Sequence, residues 1–394
     1  MQQITILSQY FYPSVASTAQ LMTDLAIGFS KRGYTVNVCT GSQSNDTKLE
    51  LSNQIKINRT VSPIKSRTSI LSKISSSIFF ILGALIFVIF KQPRNAPLLI
   101  ASNPPYAGIL GICFKLFRNG EYYFLLQDIF PESGVMSGIM QPDSILFNFF
   151  SQLIYLTCKY SQNTIVLSSA MQAFLEQKYS NIKFKFQIIE NWSIEDIPVC
   201  DKQHNKFAKQ YNLNETFTVL YSGNMGRLHD IETIVEAARL LRDTSIKFVF
   251  IGDGAKTKII EKAIQNYKLQ NILLLPFQPR ELISLSLTAC DISLVSLIPG
   301  SEYIIAPSKL YGMLAAGRGI IAISSPNSYI DQLITNFDCG VNSPPNNALN
   351  LANIIRELEH EPLKVKAMGE NARQLYENRY RFERALDEYE KLLF

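Results

Sequence analysis

The chain has 394 residues, 47% of them hydrophobic and 18% charged, with a formal net charge of +5. That length exceeds one ordinary core and suits two α/β domains, and the apolar share excludes a disordered chain while leaving room for a membrane-contacting patch. Six cysteines without CxxC spacing and three scattered histidines exclude a zinc cage, and no Lys/Arg cluster interleaved with aromatics suggests a nucleic-acid partner.

The N-terminus, Met1-Gln2-Gln3-Ile4, enters a strand without a basic, apolar and small-residue leader, so a cytoplasmic location is expected. Ile4 to Gln9 reads as a strand, Ser14 to Thr18 as a small-residue loop, and Leu21, Leu25, Ile27 and Phe29 as a helix stopped at Lys31-Arg32-Gly33. Tyr34 to Thr40 is the next strand, and this βαβ opening predicts a doubly wound parallel sheet. Ile70 to Phe90 holds a long apolar run flanked by Lys73 and Lys91. It reaches the ~20 residues of a spanning helix only by counting Ser72 and Ser75-Ser76-Ser77, so a buried or interfacial helix is expected.

Pro97 to Ser102 and Tyr122 to Gln127 are further strands, followed by Asn103-Pro104-Pro105 and by Asp128-Ile129-Phe130-Pro131-Glu132-Ser133. Polar residues thus stand at carboxyl ends of strands, where open α/β sheets bind ligands. Asp128 with Glu132 makes a candidate acid/base pair. Thr164 to Leu167 and Phe186 to Ile189 follow; Trp192 is expected to mark a hinge, and the polar stretch Ser193 to Asn214 a linker.

A second α/β unit is expected from the strands Phe217–Tyr221, Lys247–Ile251, Ile272–Leu275, Asp291–Ser296 and Gly319–Ile323, with a charged helical stretch over Leu363 to Leu393. Between the first of these strands and a helix lies Ser222-Gly223-Asn224-Met225-Gly226-Arg227, whose backbone N–H groups, helix dipole and Arg227 suit a phosphate. Pro307-Ser308-Lys309 opens another helix and sets Lys309 against the dipole, which an anionic ligand would explain. Gly252-Asp253-Gly254 lacks dinucleotide spacing and no GxxxxGK[ST] loop occurs, which disfavours a dehydrogenase and a nucleotide kinase.

In their order these pieces resemble glycosyltransferase family 4, in its exopolysaccharide and O-antigen branch with the colanic-acid-type transferases. The matching stretches are Tyr10-Phe11-Tyr12-Pro13 with Ala19-Gln20-Leu21, Lys31-Arg32-Gly33-Tyr34, Gln127 to Ser133, Tyr221 to Arg227, Gly252-Asp253-Gly254 and Pro307 to Gly312. The resemblance implies two Rossmann-like doubly wound domains (the GT-B fold) around an interdomain cleft: an acceptor domain at 1–195, a donor domain at 196–375, and a helix at 376–394 returning to the first. It implies retaining, metal-independent transfer from a nucleotide-sugar, expected to be a UDP-sugar, with no cofactor. The expected acceptor is a lipid-linked glycan or glycolipid, reached from the inner membrane face with help from 70–90.

By the same resemblance Arg227 and Lys309 balance the donor diphosphate and Asp128 serves catalysis. Ala16, Ser17, Gly223, Asn224, His229, Gly252, Glu302, Ser308 and Tyr311 line the donor, and Asn103 and Glu132 the acceptor side. The chain departs from the family where Ala16-Ser17 replaces Gly-Gly, where His229 is the nearest counterpart of a lysine, and where Ile304 and Gly312 replace two glutamates; Glu302 is the candidate substitute. The missing glutamates keep open a non-catalytic nucleotide-sugar-binding or complex-organising subunit, and a rival within enzymes is an epimerase-like enzyme on the same scaffold.

Overall fold

The computed structural model describes all residues except 1, 15, 42–52, 61–69, 181–182 and 194–196. The chain forms two compact units: 1–194 with 304–306 and 382–394, and 195–303 with 307–381. The expected boundary at 195/196 lies outside the described residues.

In the first unit the strands are β1 (Gln3–Ser8), β2 (Thr35–Thr40), β3 (Ile55–Arg59), β4 (Leu98–Ala101), β5 (Tyr122–Leu126), β6 (Asn163–Val166) and β7 (Phe186–Ile188). They form one parallel sheet in the order β3-β2-β1-β4-β5-β6-β7. The helices are α1 (Ser17–Lys31), α2 (Ile70–Phe90), α3 (Gly108–Arg118), α4 (Glu132–Met136), α5 (Ile145–Tyr160) and α6 (Ser169–Lys178). The central strands are wholly buried apolar runs, as a parallel sheet covered on both faces requires. β3, Ile-Lys-Ile-Asn-Arg, was not anticipated. It is an edge strand with a charged, half-exposed sequence, which blunts the edge and hides the apolar signal.

In the second unit the strands are β8 (Thr218–Ser222), β9 (Lys247–Ile251), β10 (Ile272–Leu275), β11 (Ile292–Ser296), β12 (Gly319–Ile323) and β13 (Gly340–Ser343), parallel in the order β10-β9-β8-β11-β12-β13. Short β13, Gly-Val-Asn-Ser, is the other edge strand that the sequence does not mark, because it holds a single large apolar residue. Helices α7 (Lys206–Gln210), α8 (Ile231–Leu240), α9 (Thr257–Tyr267), α10 (Arg280–Leu287), α11 (Lys309–Ala315), α12 (Tyr329–Asn336), α13 (Ala348–Glu359) and α14 (Pro362–Leu375) complete it. The sequence direction reverses across the β1/β4 pair in one sheet and across β8/β11 in the other. Such switch points leave a crevice at the carboxyl edge.

Three expectations change. The supposed linker is mostly folded: Asn205 is fully buried, caps α7 and binds the Leu285 carbonyl at 2.8 Å, while Lys202 pairs with Asp291. Its polarity serves these internal bonds. The C-terminal stretch breaks after Tyr380, where a π-helical turn gives way to extended Arg381. Residues up to Arg381 stay with the second unit, and α15 (Phe382–Leu393) belongs to the first. There Arg32 engages both Asp387 and Glu390, and Phe394 stacks on Tyr34 at 4.5 Å. Trp192, expected to mark a hinge, is core of the first unit, 1% exposed, packed on Phe382 and donating from its indole nitrogen to Asp24 at 3.1 Å. Among the described residues no helix is long and apolar enough to cross a membrane. All six cysteines are free.

Candidate functional site

The second unit builds its site at the β8/β11 switch point. β8 ends in Tyr221-Ser222 and passes into Gly223, whose φ of +128° admits the turn. β9 ends in the same way at Gly252, φ +132°, and the two loops lie back to back: a Cβ on Gly252 would stand 2.2 Å from the Gly223 carbonyl oxygen. The Met225 amide donates to the Asp253 carbonyl at 2.9 Å and seals the pair. Gly252 therefore serves loop packing. Replacing it with alanine is expected to lower stability by about 1–3 kcal/mol in urea unfolding, since the backbone angle and the clash both oppose a side chain. A Gly252→Ala protein as stable as its parent would remove that account.

The loop from Gly223 is also stitched to the segment after β11. Ile298 donates to the Leu228 carbonyl at 3.0 Å, and Ser301 Oγ donates to the Ile298 carbonyl at 2.8 Å. Buried His229 reaches the Ser296 carbonyl at 2.7 Å through Nδ1. A carbonyl only accepts, so Nδ1 carries the proton. Burial first, and the charge of Lys309 second, pull this imidazole down to about 3, so it stands neutral and does not replace the missing lysine as a cation. The N-terminus of α8, expected to face a phosphate, is taken instead by its own Asp230, which caps Thr233 N at 3.0 Å. The Gly223 amide is likewise spent on the Ile251 carbonyl. Two side-chain cations, Lys309 and Arg227, border this loop.

Lys309 is the chief of these. It opens α11 half-buried, crosses beneath Gly223, and ends with Nζ 3.9 Å from the centre of the Tyr221 ring, donating to the Tyr221 hydroxyl and, at 3.2 Å, to the Asn224 carbonyl. Tyr221, 1% exposed, passes its own proton to the Asn224 carbonyl at 3.1 Å. Among the described residues no carboxylate pairs with Lys309, and burial holds its ammonium well below the usual lysine range. Arg227 stands exposed at the far end of the same loop, also without an acidic partner among the described residues. Ser308 precedes α11 without capping it.

Glu302 is fully buried in the turn Ser301–Tyr303, and neither carboxylate oxygen has a hydrogen-bond partner among the described residues. Ile304, at the family's first glutamate position, is core in the first unit, where its carbonyl accepts from Ile129 N at 2.8 Å. Tyr311 is packed against Tyr380 at 5.1 Å, 3% exposed, which makes it part of the core.

In the first unit Asp128 follows β5, bridges Ile305, and is pushed up to about 6 by burial, with the Ser133 hydroxyl 3.5 Å away opposing the shift. Such a carboxyl changes protonation near neutral pH. Glu132 is engaged by Lys178, leaving one buried oxygen unpartnered. Asn103 follows β4 and accepts from Gln9 N at 3.1 Å. Exposed Ala16 precedes α1, without a side-chain cap, and Ser17 is its first residue.

The sequence did not mark Tyr221 as a site residue. It reads as the penultimate core residue of a strand, and only its place one residue before the glycine loop signals otherwise.

Residues 202–375, the segment containing this site, match the model described as glycosyl transferases group 1. Over 322 residues the chain is 26% identical to the probable glycosyltransferase WbjE of Pseudomonas aeruginosa, covering 81% of this chain and 79% of that one. Over 140 residues it is 32% identical to WcaI of Escherichia coli (strain K12), which carries the name of a colanic acid biosynthesis glycosyl transferase; this covers 35% of this chain and 34% of that one. Among solved structures, the sucrose-phosphate synthase of Thermosynechococcus elongatus superposes with a TM-score of 0.81 at 18% identity, covering 100% of this chain and 98% of that one. HepE of Anabaena, crystallised with UDP and glucose, gives 0.74 at 15%, covering 100% and 99%. These structures establish the fold, two Rossmann-like units on the GT-B plan. In that fold, the segment 202–375 is similar to the group 1 glycosyl transferases.

Proposed function

We propose that this glycosyltransferase moves a sugar from a UDP-sugar, with retention of the anomeric configuration and without a metal, to a lipid-linked glycan or glycolipid in exopolysaccharide assembly. The observation that carries the donor reading is Lys309, a desolvated ammonium with no carboxylate partner, set against a glycine loop at the switch point of the second sheet. A buried cation calls for an anion, and a diphosphate supplies one. Lys309 and Arg227 then stabilise the charge that develops on the leaving diphosphate, which is where electrostatic catalysis acts. Asn224 and Gly223 shape the approach, Glu302 receives hydroxyls of the donor sugar, and Asp128 serves the acceptor side as the group that holds or releases a proton.

The UDP complex of HepE supports uridine as the nucleoside, and the name of WcaI supports the polysaccharide setting. Retention follows the family resemblance and is read from the anomer formed.

Titration calorimetry of the full chain with UDP, in EDTA, is expected to give a saturable isotherm. Absence of heat at millimolar UDP from a folded protein would overturn the donor reading. Incubation with labelled UDP-sugars and membranes separates transfer from a binding-only subunit: label retained as UDP-sugar throughout would assign the subunit role.

A further inference from the structure

The first unit carries an apolar face that sugar transfer itself does not use. Helix α2 buries Phe80, Ala84, Phe87 and Val88 against the sheet and turns Ile74, Ile78, Leu82, Ile86 and Phe90 outward, each between 49% and 75% exposed. The outward residues recur every fourth position, so they form one stripe along about 24 Å of helix. Helix α2 packs beside α3, whose Leu116 and Phe117 are exposed, and α3 packs beside α5, whose first two turns expose Ile145, Leu146 and Phe149. Isolated exposed apolar residues need no account, but a tract over three neighbouring helices marks an interaction surface.

Charge selects the occupant. From Leu51 to Gly120 the sequence holds nine lysines and arginines and no aspartate or glutamate, although the whole chain carries 33 acids against 38 bases. Lys91 and Arg94 lie exposed just past the end of α2, and Lys115 lies in the last turn of α3. Arg118 ties the two helix ends together, donating to the Ile89 carbonyl and, at 3.4 Å, to that of Gln92. A second copy of the chain would bring the same positive field against itself. An anionic lipid surface complements both the apolar stripe and its charge. The buried side of α2 belongs to the core, and a Cβ on Gly83 would stand 2.8 Å from Thr60, so the helix is held flat against the unit.

We propose that α2, with the outer side of α3 and the first turns of α5, is a docking surface for an anionic bilayer. Its apolar residues enter the boundary between headgroups and acyl chains, and its bases pair with lipid phosphates. The inference deepens the reading of a lipid-linked acceptor and rests on it for its purpose.

The test is flotation of the full chain with phosphatidylcholine vesicles, with and without phosphatidylglycerol. The parent is expected to float with the anionic vesicles, and less so as salt rises. Leu82→Glu/Ile86→Glu and Lys91→Glu/Arg94→Glu are each expected to lower the partition at least about tenfold, on exposed positions whose change leaves the melting temperature in place. A parent that stays in solution, or a Leu82→Glu/Ile86→Glu protein that floats as well as the parent, overturns the proposal. So does light scattering that finds a stable dimer dissociated by the same change. UDP titration of the same samples keeps the two readings apart: flotation without UDP binding removes the transferase reading alone, and UDP binding without flotation removes the docking surface alone.

Discussion

Replacing Lys309 with alanine or methionine is expected to lower kcat/KM for transfer by about 10²–10³-fold, the usual effect of losing one preorganised group at a developing charge. The fold is expected to survive. Tyr221 keeps its hydroxyl bond to the Asn224 carbonyl in either variant, so no buried polar atom is orphaned. A Tyr221→Phe control leaves the ammonium present but unpositioned, and is expected to cost about tenfold through kcat rather than through stability. Near-parental turnover in the Lys309 variants would remove the residue from the site.

The protonation of Lys309 adds a second readout. Its folded pKa is lowered by burial, so between that value and the ordinary lysine range the unfolded chain binds more protons than the folded one. Stability therefore rises with pH across this window. A bound diphosphate favours the ammonium and raises the pKa again, so UDP binding takes up a proton there and weakens as pH rises through the lowered value. Calorimetry in buffers of different ionisation enthalpy reads that uptake directly, and Lys309→Met is expected to abolish it. Because the charge of Lys309 also holds His229 down, the same variant is expected to move the His229 titration upward from about 3, followed by NMR.

The doubly wound class was legible because the buried central strands are continuous apolar runs ending in glycine or polar residues, as at Tyr122–Leu126 and Lys247–Ile251. The edge strands Ile55–Arg59 and Gly340–Ser343 lack that signature, whereas the edge strand Ile272–Leu275 keeps it and is legible. For the site, Gly223 and Lys309 could be read because each breaks a local rule: a glycine after a strand, and a lysine against a helix dipole. Tyr221 breaks none. A tyrosine in a buried strand is ordinary, and what sets this one apart is the Lys309 side chain that β8 and α11 bring over its ring. The Asp230 cap on Thr233 is not legible in the loop for a related reason: it depends on where the helix begins. Chain order reveals which groups exist, and topology decides which of them meet.

Glu302→Gln is expected to raise stability and to lower transfer. Both carboxylate oxygens are buried without partners among the described residues, and a buried unsatisfied group costs about 1–3 kcal/mol, more when it is charged. Removing the charge relieves part of that cost in the free protein, so its melting temperature is expected to rise. The turn that carries Glu302 does not depend on its side chain, because Ser301 makes the bonds to Ile298 and Leu228. If the carboxylate receives sugar hydroxyls, the amide loses a charged acceptor, and kcat/KM for the UDP-sugar is expected to fall by about 10–10²-fold while affinity for UDP alone stays unchanged. The opposite signs are the point of the experiment: a purely structural carboxylate would lose stability and keep its rate. The comparison also bears on the missing glutamate pair. Ile304 is committed to the core of the first unit and Gly312 carries no side chain, whereas Glu302, two residues before Ile304, is the carboxylate that this segment buries without a partner. Unchanged selectivity among UDP-sugars in Glu302→Gln would assign sugar recognition to other residues and leave the diphosphate site at Lys309 untouched.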